Sequence, residues 1–348
     1  MRNFPQELVD HTLETLCGET ETLKACSLVE ARWVVPSQRN LMMVVNIRNR
    51  KVADRFSILL QNPRFRLYTK QLSITLQSKA LTHREHALAM VPILRVLTNL
   101  EHTVLHPAAH SIGEALFGML PPIFVDAVAA AFNRNYMQTL AGVLTLGNWD
   151  LAGTSCLPRV SKLQAMSFIS CRLRVPTSGT SMYNRQPPAA MTIKDLYIGP
   201  FDGMELLQQW LASPDVFVET LEIHGATSIA PLKLDKLHVR NLRLEYDAGQ
   251  DFTLPSGLED ALTSHITITI PSGWQAEHLR HWLASVQISV NATLVLMVIG
   301  GKRAGMPSMD PAYILKQIDR NSAIHLQKME AGECPWGSKY LEFTIVAQ

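Results

Sequence analysis

Two stretches decide how the chain is read: Ile266-Thr267-Ile268-Thr269-Ile270 and, starting 28 residues later, Leu294-Val295-Leu296-Met297-Val298. Strict alternation of large apolar with other residues sends one set of side chains to one face of a strand. The same short element recurs as Leu72-Ser73-Ile74-Thr75-Leu76, Leu196-Tyr197-Ile198, Leu221-Glu222-Ile223 and Leu242-Arg243-Leu244. Weaker copies occupy 100–105, 166–173 and Phe343-Thr344-Ile345. The starts at 196, 221, 242, 266 and 294 lie 25, 21, 24 and 28 residues apart.

Helix-patterned segments lie between these strands. Leu88, Val91, Leu94 and Leu97 keep helical spacing, and Pro92 predicts a helix that opens at 92. Met204, Leu207, Trp210 and Leu211 share one side after a turn at Pro200-Phe201-Asp202-Gly203. Further helices are expected over 276–283 and 311–318, the last capped by Asp310 with Pro311 at its first position. No single strand–helix unit buries its own apolar face, so neighbours must stack. Spacings of roughly 20–29 residues are those of leucine-rich repeats. The expected architecture is therefore an irregular leucine-rich-repeat-like α/β solenoid, with an ordinary α/β domain as the alternative. No strand runs into a glycine-rich phosphate loop.

Composition narrows the function classes. Of 348 residues, 47 % are hydrophobic and 18 % charged, which excludes a disordered chain because there is apolar surface enough to offset ordering entropy. A net charge of +2 gives no reason to expect nucleic acid as partner. No apolar run approaches the roughly 20 residues of a membrane helix, and Met1-Arg2-Asn3-Phe4-Pro5 has no secretory character. Cys17, Cys26, Cys156, Cys171 and Cys334 are odd in number and lack paired spacing, so they are expected as reduced thiols. A cytoplasmic or nuclear protein is expected.

The first 40 residues have helices without strands. Pro5 opens a segment with Leu8, Val9, Leu13 and Leu16 on one face, ended by Cys17-Gly18. A second segment, capped by Thr20 or Thr22, carries Leu23, Cys26, Val29 and Trp33 and is expected to stop at Pro36. So short a unit cannot hide Trp33 and these aliphatics by itself. Phe4-Pro5-Gln6-Glu7-Leu8-Val9-Asp10-His11-Thr12-Leu13 with Thr22-Leu23-Lys24-Ala25-Cys26-Ser27-Leu28-Val29-Glu30-Ala31-Arg32-Trp33 resembles an F-box. The Val29–Trp33 spacing matches the family's closing pattern, and the Leu23 to Val29 phrase is similar to fungal F-box proteins that carry an irregular leucine-rich region. Phe4 stands in place of the usual leucine. Glu30 and Ala31 stand where the family prefers Cys or Ser followed by a basic residue.

The resemblance implies an α+β chain in three parts: a small helical F-box over 1–40, a strand–helix linker over 41–66, and the leucine-rich-repeat-like solenoid over 67–348. It implies a substrate-recruiting subunit of a ubiquitin ligase, joined through a Skp-type adaptor to a cullin–RING assembly and holding a protein substrate on the repeats. By the family's pattern, Pro5, Leu8, Val9, Leu13, Leu16, Leu23, Cys26, Val29 and Trp33 form the mini-core and the adaptor surface. A repeat scaffold whose degenerate F-box serves no ligase is the alternative.

Substrate recognition is expected where strand positions between the leucines face away from the core: Tyr197, Glu222 and Arg243, with Thr267 and Val295. The basic stretch Arg39, Arg48, Arg50, Lys51, Arg55, Arg64, Arg66 and Lys70, opposed by Asp54 alone, reads as the solvated face of a linking strand over 41–47 and a following helix. His102, His106 and His110 have the i, i+4, i+8 spacing of a zinc-binding helix, but Pro107 interrupts it and no ligand set is complete. Gly300 to Gly305 lacks the order of a phosphate loop, and Ser178 to Ser181 is no nucleophile elbow. No enzyme, cofactor or metal site is expected.

Overall fold

The computed structural model describes residues 5–16, 19–76, 80–107, 120–135, 143–147, 150–152, 162–174, 190–199, 204–224, 237–246, 258, 262–271, 276–299, 311–333 and 339–348. Three helices open the chain: α1 (Gln6–Thr15), α2 (Thr20–Val29) and α3 (Ala31–Met43). Glu30 separates α2 from α3 with extended backbone, so Trp33 belongs to a different helix from Leu23, Cys26 and Val29. The expected stop at Pro36 is corrected: α3 runs through it to Met43. Pro36 removes one ladder bond near the start of the helix, and its burial offsets that loss.

Strand β1 (Val44–Ile47) follows α3 directly. Asn49 then caps α4 (Arg50–Leu59) by accepting from Val52 N at 3.0 Å, and Asn62 with Pro63 opens α5 (Pro63–Tyr68). Next come β2 (Gln71–Leu76), α6 (Ala80–Val96), β3 (His102–Pro107), α7 (Pro122–Asn135) and β4 (Val143–Gly147). The expected helix start at Pro92 is also corrected, since α6 begins twelve residues earlier and passes through it. Its buried face is Ala87, Met90, Val91, Ile93, Leu94 and Leu97, while Leu88 is exposed.

The remaining elements are β5 (Asp150–Ala152), β6 (Lys162–Ile169), β7 (Arg172–Arg174), β8 (Met191–Ile198), α8 (Met204–Leu211) and β9 (Val216–His224). They continue with β10 (Val239–Glu245), β11 (His265–Pro271), α9 (Ala276–Ser285), β12 (Thr293–Ile299), α10 (Pro311–Ile318), β13 (Ile324–Glu333) and β14 (Lys339–Ala347). Twelve strands hydrogen-bond in the order β1-β2-β3-β4-β6-β8-β9-β10-β11-β12-β14-β13; β5 and β7 form a separate pair.

The chain divides into two compact units, Met1–Trp149 with Leu157–Gln164, and Asp150–Cys156 with Ala165–Gln348. In the first, parallel β1, β2, β3 and β4 align Ile47, Ile74, Leu105 and Leu146 into one buried ladder. In the second, parallel pairing from β8 to β12 aligns Leu196, Leu221, Leu242, Ile266 and Leu294, extended by Ile345 on antiparallel β14. Ile198, Ile223, Leu244, Ile268, Leu296 and Phe343 form the next ladder. Each ladder removes a continuous apolar strip from water at roughly 25 cal/mol per Å².

The expected small helical F-box followed by a leucine-rich-repeat-like solenoid is corrected by this architecture. The fold is a sheet-rich α/β fold built on a mostly parallel twelve-stranded sheet that begins at Val44 and ends in an antiparallel pair. The reason is physical. Period-2 alternation marks any strand with one covered face, and a recurrence of 21–28 residues also suits a parallel crossover, which needs a dozen or more connecting residues. Among the described residues, no helix is long and apolar enough to cross a membrane.

Candidate docking surfaces

The N-terminal helices make a small core of Val9, Leu13 and Leu23, with Leu16, Cys26, Trp33 and Leu41 packed half-buried against it. Pro5 stands exposed before α1 and its carbonyl accepts from Leu8 N and Val9 N. Helical spacing then turns Val9 and Leu13 inward and Leu8 outward, 49 % exposed. Val29 is 69 % exposed at the end of α2, because the break at Glu30 takes Trp33 away from it. Of the nine residues expected here, the structure thus gathers six in or on the mini-core and leaves Pro5, Leu8 and Val29 to solvent. Two further exposed apolar side chains escaped the sequence reading, Leu28 at 87 % and Val35 at 47 %. The signal was present for Leu28: a leucine between Ser27 and Val29 falls off the inward face set by Leu23 and Cys26.

Arg39 Nη2 donates to Glu14 Oε1 at 3.2 Å and ties α3 to α1. At the α2–α3 junction Arg32 Nε donates to Glu30 Oε1 at 2.8 Å. That contact pushes the Arg32 guanidinium above its ordinary value, chiefly through the hydrogen bond to Glu30. Glu30, the residue that departs from the family pattern, therefore already holds a cation.

The second surface is the uncovered sheet face of the C-terminal unit. Register places Tyr197 opposite Glu222 and Glu222 opposite Arg243, on adjacent parallel strands. One row further along, His224 lies opposite Glu245. His224 Nε2 meets Glu222 Oε1 at 2.6 Å, and its Nδ1 meets Glu245 Oε2 at 2.7 Å. The Tyr197 ring stands on the imidazole, centroids 4.8 Å apart and planes tilted by 37°. Burial, then the Glu222 and Glu245 charges, push the Tyr197 phenol above its ordinary value. Glu222 and Arg243 line a groove of about 400 Å³, whose apolar wall is Val295 and Met297. His224 and Glu245 were missed by the sequence reading, although each is two residues on from an expected position and so faces the same side.

His102 and His106 occupy one face of β3, not a helix, and bond to neighbouring strands. His102 Nε2 lies 3.2 Å from Thr145 Oγ1, and His106 Nε2 lies 2.8 Å from Thr75 Oγ1. Among the described residues no group of three or more His, Cys, Asp or Glu has the arrangement of a metal site. Cys26 is half-buried and Cys171 buried, neither of them in a disulfide, and Cys171 Sγ donates to Ile169 O at 3.6 Å. His110, Cys17, Gly18, Cys156, Cys334, Ser178 to Ser181, Pro200 to Gly203, Gly300 to Gly305 and Asp310 lie outside the described residues.

No protein-family model matches the chain, and no curated protein matches its sequence. The functional reading therefore stands on the residues themselves.

Proposed function

We propose that the chain is a non-enzymatic recruiting subunit: its N-terminal helices dock on a Skp-type adaptor of a cullin–RING ubiquitin ligase, and its sheet face holds a protein substrate. The observation that carries the reading is the apolar surplus of the first three helices. Their core has three fully buried side chains, yet Leu8, Val29, Leu28 and Val35 stay 49 %, 69 %, 87 % and 47 % exposed. Water does not favour such side chains, and a partner that covers them gains their burial, about 1.5–3 kcal/mol for each one fully removed from water. The resemblance of residues 4–33 to an F-box supplies the partner's identity.

Co-purification with a Skp-type adaptor tests the docking. Leu8→Asp and Val29→Asp replace exposed side chains, so the fold should survive while the interface takes in an unpaired carboxylate at a cost of several kcal/mol. Either substitution should remove the adaptor from the purified complex. Retention of the adaptor by both variants rejects the mapping. Wild-type protein that captures a partner but never an adaptor points to the scaffold alternative.

A further inference from the structure

The groove of about 400 Å³ on the uncovered face of the C-terminal unit falls in the size range of ligand sites, roughly 300–1,000 Å³. Strand register orders its lining. β10 brings Arg243 and Glu245, β11 Thr267 and Thr269, β12 Val295 and Met297, and β14 Glu342. Charged side chains therefore stand on the two outer strands, with hydroxyl and apolar side chains between them. Alternation puts all of these on the face opposite the buried ladders.

Two of the charges in the groove are already engaged: Glu222 and Glu245 both hold His224. Arg243 and Glu342 are different, for neither makes an ion pair or a side-chain hydrogen bond among the described residues. Arg243 lies opposite Glu222 in the register, yet the Glu222 carboxylate turns to His224 instead. Glu342 lies opposite Glu330 on β13, and like charges directly opposite one another destabilise a sheet. Lys328 does not relieve it: its ammonium answers chiefly to Glu330, Nζ to Oε1 at 2.5 Å, and least to Glu342. The groove thus offers one uncommitted cation on β10 and one uncommitted anion on β14.

We propose that the protein segment held here carries an acidic and a basic side chain four residues apart, with an aliphatic side chain between them; the inference rests on the recruiting role proposed above. The segment's carboxylate pairs with Arg243, its cation pairs with Glu342, and its aliphatic group rests on Val295 and Met297. Arg243 and Glu342 stand three strand spacings apart, about 14 Å across the sheet, and an extended chain covers about 13–14 Å in four residues. Opposite signs at the two ends give discrimination. A uniformly basic segment meets Arg243 and a uniformly acidic one meets Glu342, and each mismatch puts like charges together in the interface. The two charged groups of a free amino acid are too close together to reach both ends.

Titration of the full chain with the end-blocked peptide Gly-Asp-Ala-Leu-Ala-Lys-Gly tests the proposal, the labelled Met297 methyl resonance reporting both affinity and location. The peptide should shift that resonance, and replacing its Asp by Asn or its Lys by Gln should weaken binding at least fivefold. Arg243→Glu should move the preference to a peptide with Lys at both charged positions, and Glu342→Lys to one with Asp at both. A changed preference needs a folded groove, so it is distinct from loss of structure. No Met297 shift at millimolar peptide overturns the proposal, as do equal affinities for charged and neutral peptides or variants whose preference stays that of wild type. Co-purification of wild-type protein with a Skp-type adaptor is scored separately. Its failure beside the expected peptide preferences rejects the recruiting role alone, whereas its success beside indifferent peptides rejects this assignment of the groove alone.

Discussion

Asn321 shows how much one side chain can do. It is 8 % exposed, and its Nδ2 donates to Leu283 O and Val286 O, each at 2.8 Å, while its Oδ1 accepts from Ala323 N at 3.0 Å. The last carbonyls of a helix have no partner within it; here Asn321 serves those at the end of α9 from the turn after α10. Asn321→Ala should lower stability by about 1–3 kcal/mol, because the carbonyls stay buried and unpaired. Urea unfolding checks this, and a midpoint unchanged from wild type rejects the role. Nothing in the sequence pointed to Asn321, since its partners are 35 and 38 residues away. Residue-scale roles were legible where local spacing sets them, as for Val9, Leu13 and Leu23, and illegible where tertiary contact does. Val29 lies between: its spacing to Trp33 was visible, but the extended Glu30 that voids the helical meaning of that spacing was not.

Among elements, β3 carries a pH response. Its alternation buries Thr103 and Leu105 and leaves His102 and His106 half-exposed on the other face. Burial lowers the pKa of both histidines from the ordinary 6.5, and Arg48 lowers that of His106 further. A histidine with a depressed folded-state pKa binds its proton more readily when unfolded, so stability rises with pH across the window between the two values. These two groups should therefore cost no stability above 6.5, and the loss should build as the pH falls from 6.5 towards the lowered folded-state values and level off below them. Denaturant midpoints at pH 7 and pH 5 measure the loss, and His102→Gln with His106→Gln should shrink it; an equal loss in the double variant excludes these groups as its source. Strands such as β2, β9 and β12 were legible because a covered face forces alternation on the sequence. Proline misled the helix reading twice, at Pro36 and Pro92, because local preference yields where tertiary burial supports the helix on both sides of the ring.

At the scale of the whole molecule, the repeat spacing was legible and its architecture was not, for alternation reports a covered face without saying how the covered strands are assembled. The uncovered face of the C-terminal unit follows from the same register. Arg243 is exposed there and makes no ion pair among the described residues, so Arg243→Glu should leave the melting temperature within a few degrees of wild type. On the proposed recruiting role, with substrate in the groove beside Glu222, this variant should still co-purify with a Skp-type adaptor and lose co-purified substrate at least tenfold. Equal substrate recovery from both proteins places recognition elsewhere. The strand order carries one more consequence, for biosynthesis. In the sheet β14 lies between β12 and β13, antiparallel to both, although β13 is translated before it. While residues 339–347 are still missing from the growing polypeptide, β13 has no sheet neighbour and β12 presents an unpaired edge. Unpaired edges recruit other strands. Cotranslational assembly from β8 to β12 can run in step with the ribosome, but the closing pair waits for β14, and premature termination within that interval leaves a nascent chain poised for intermolecular strand exchange.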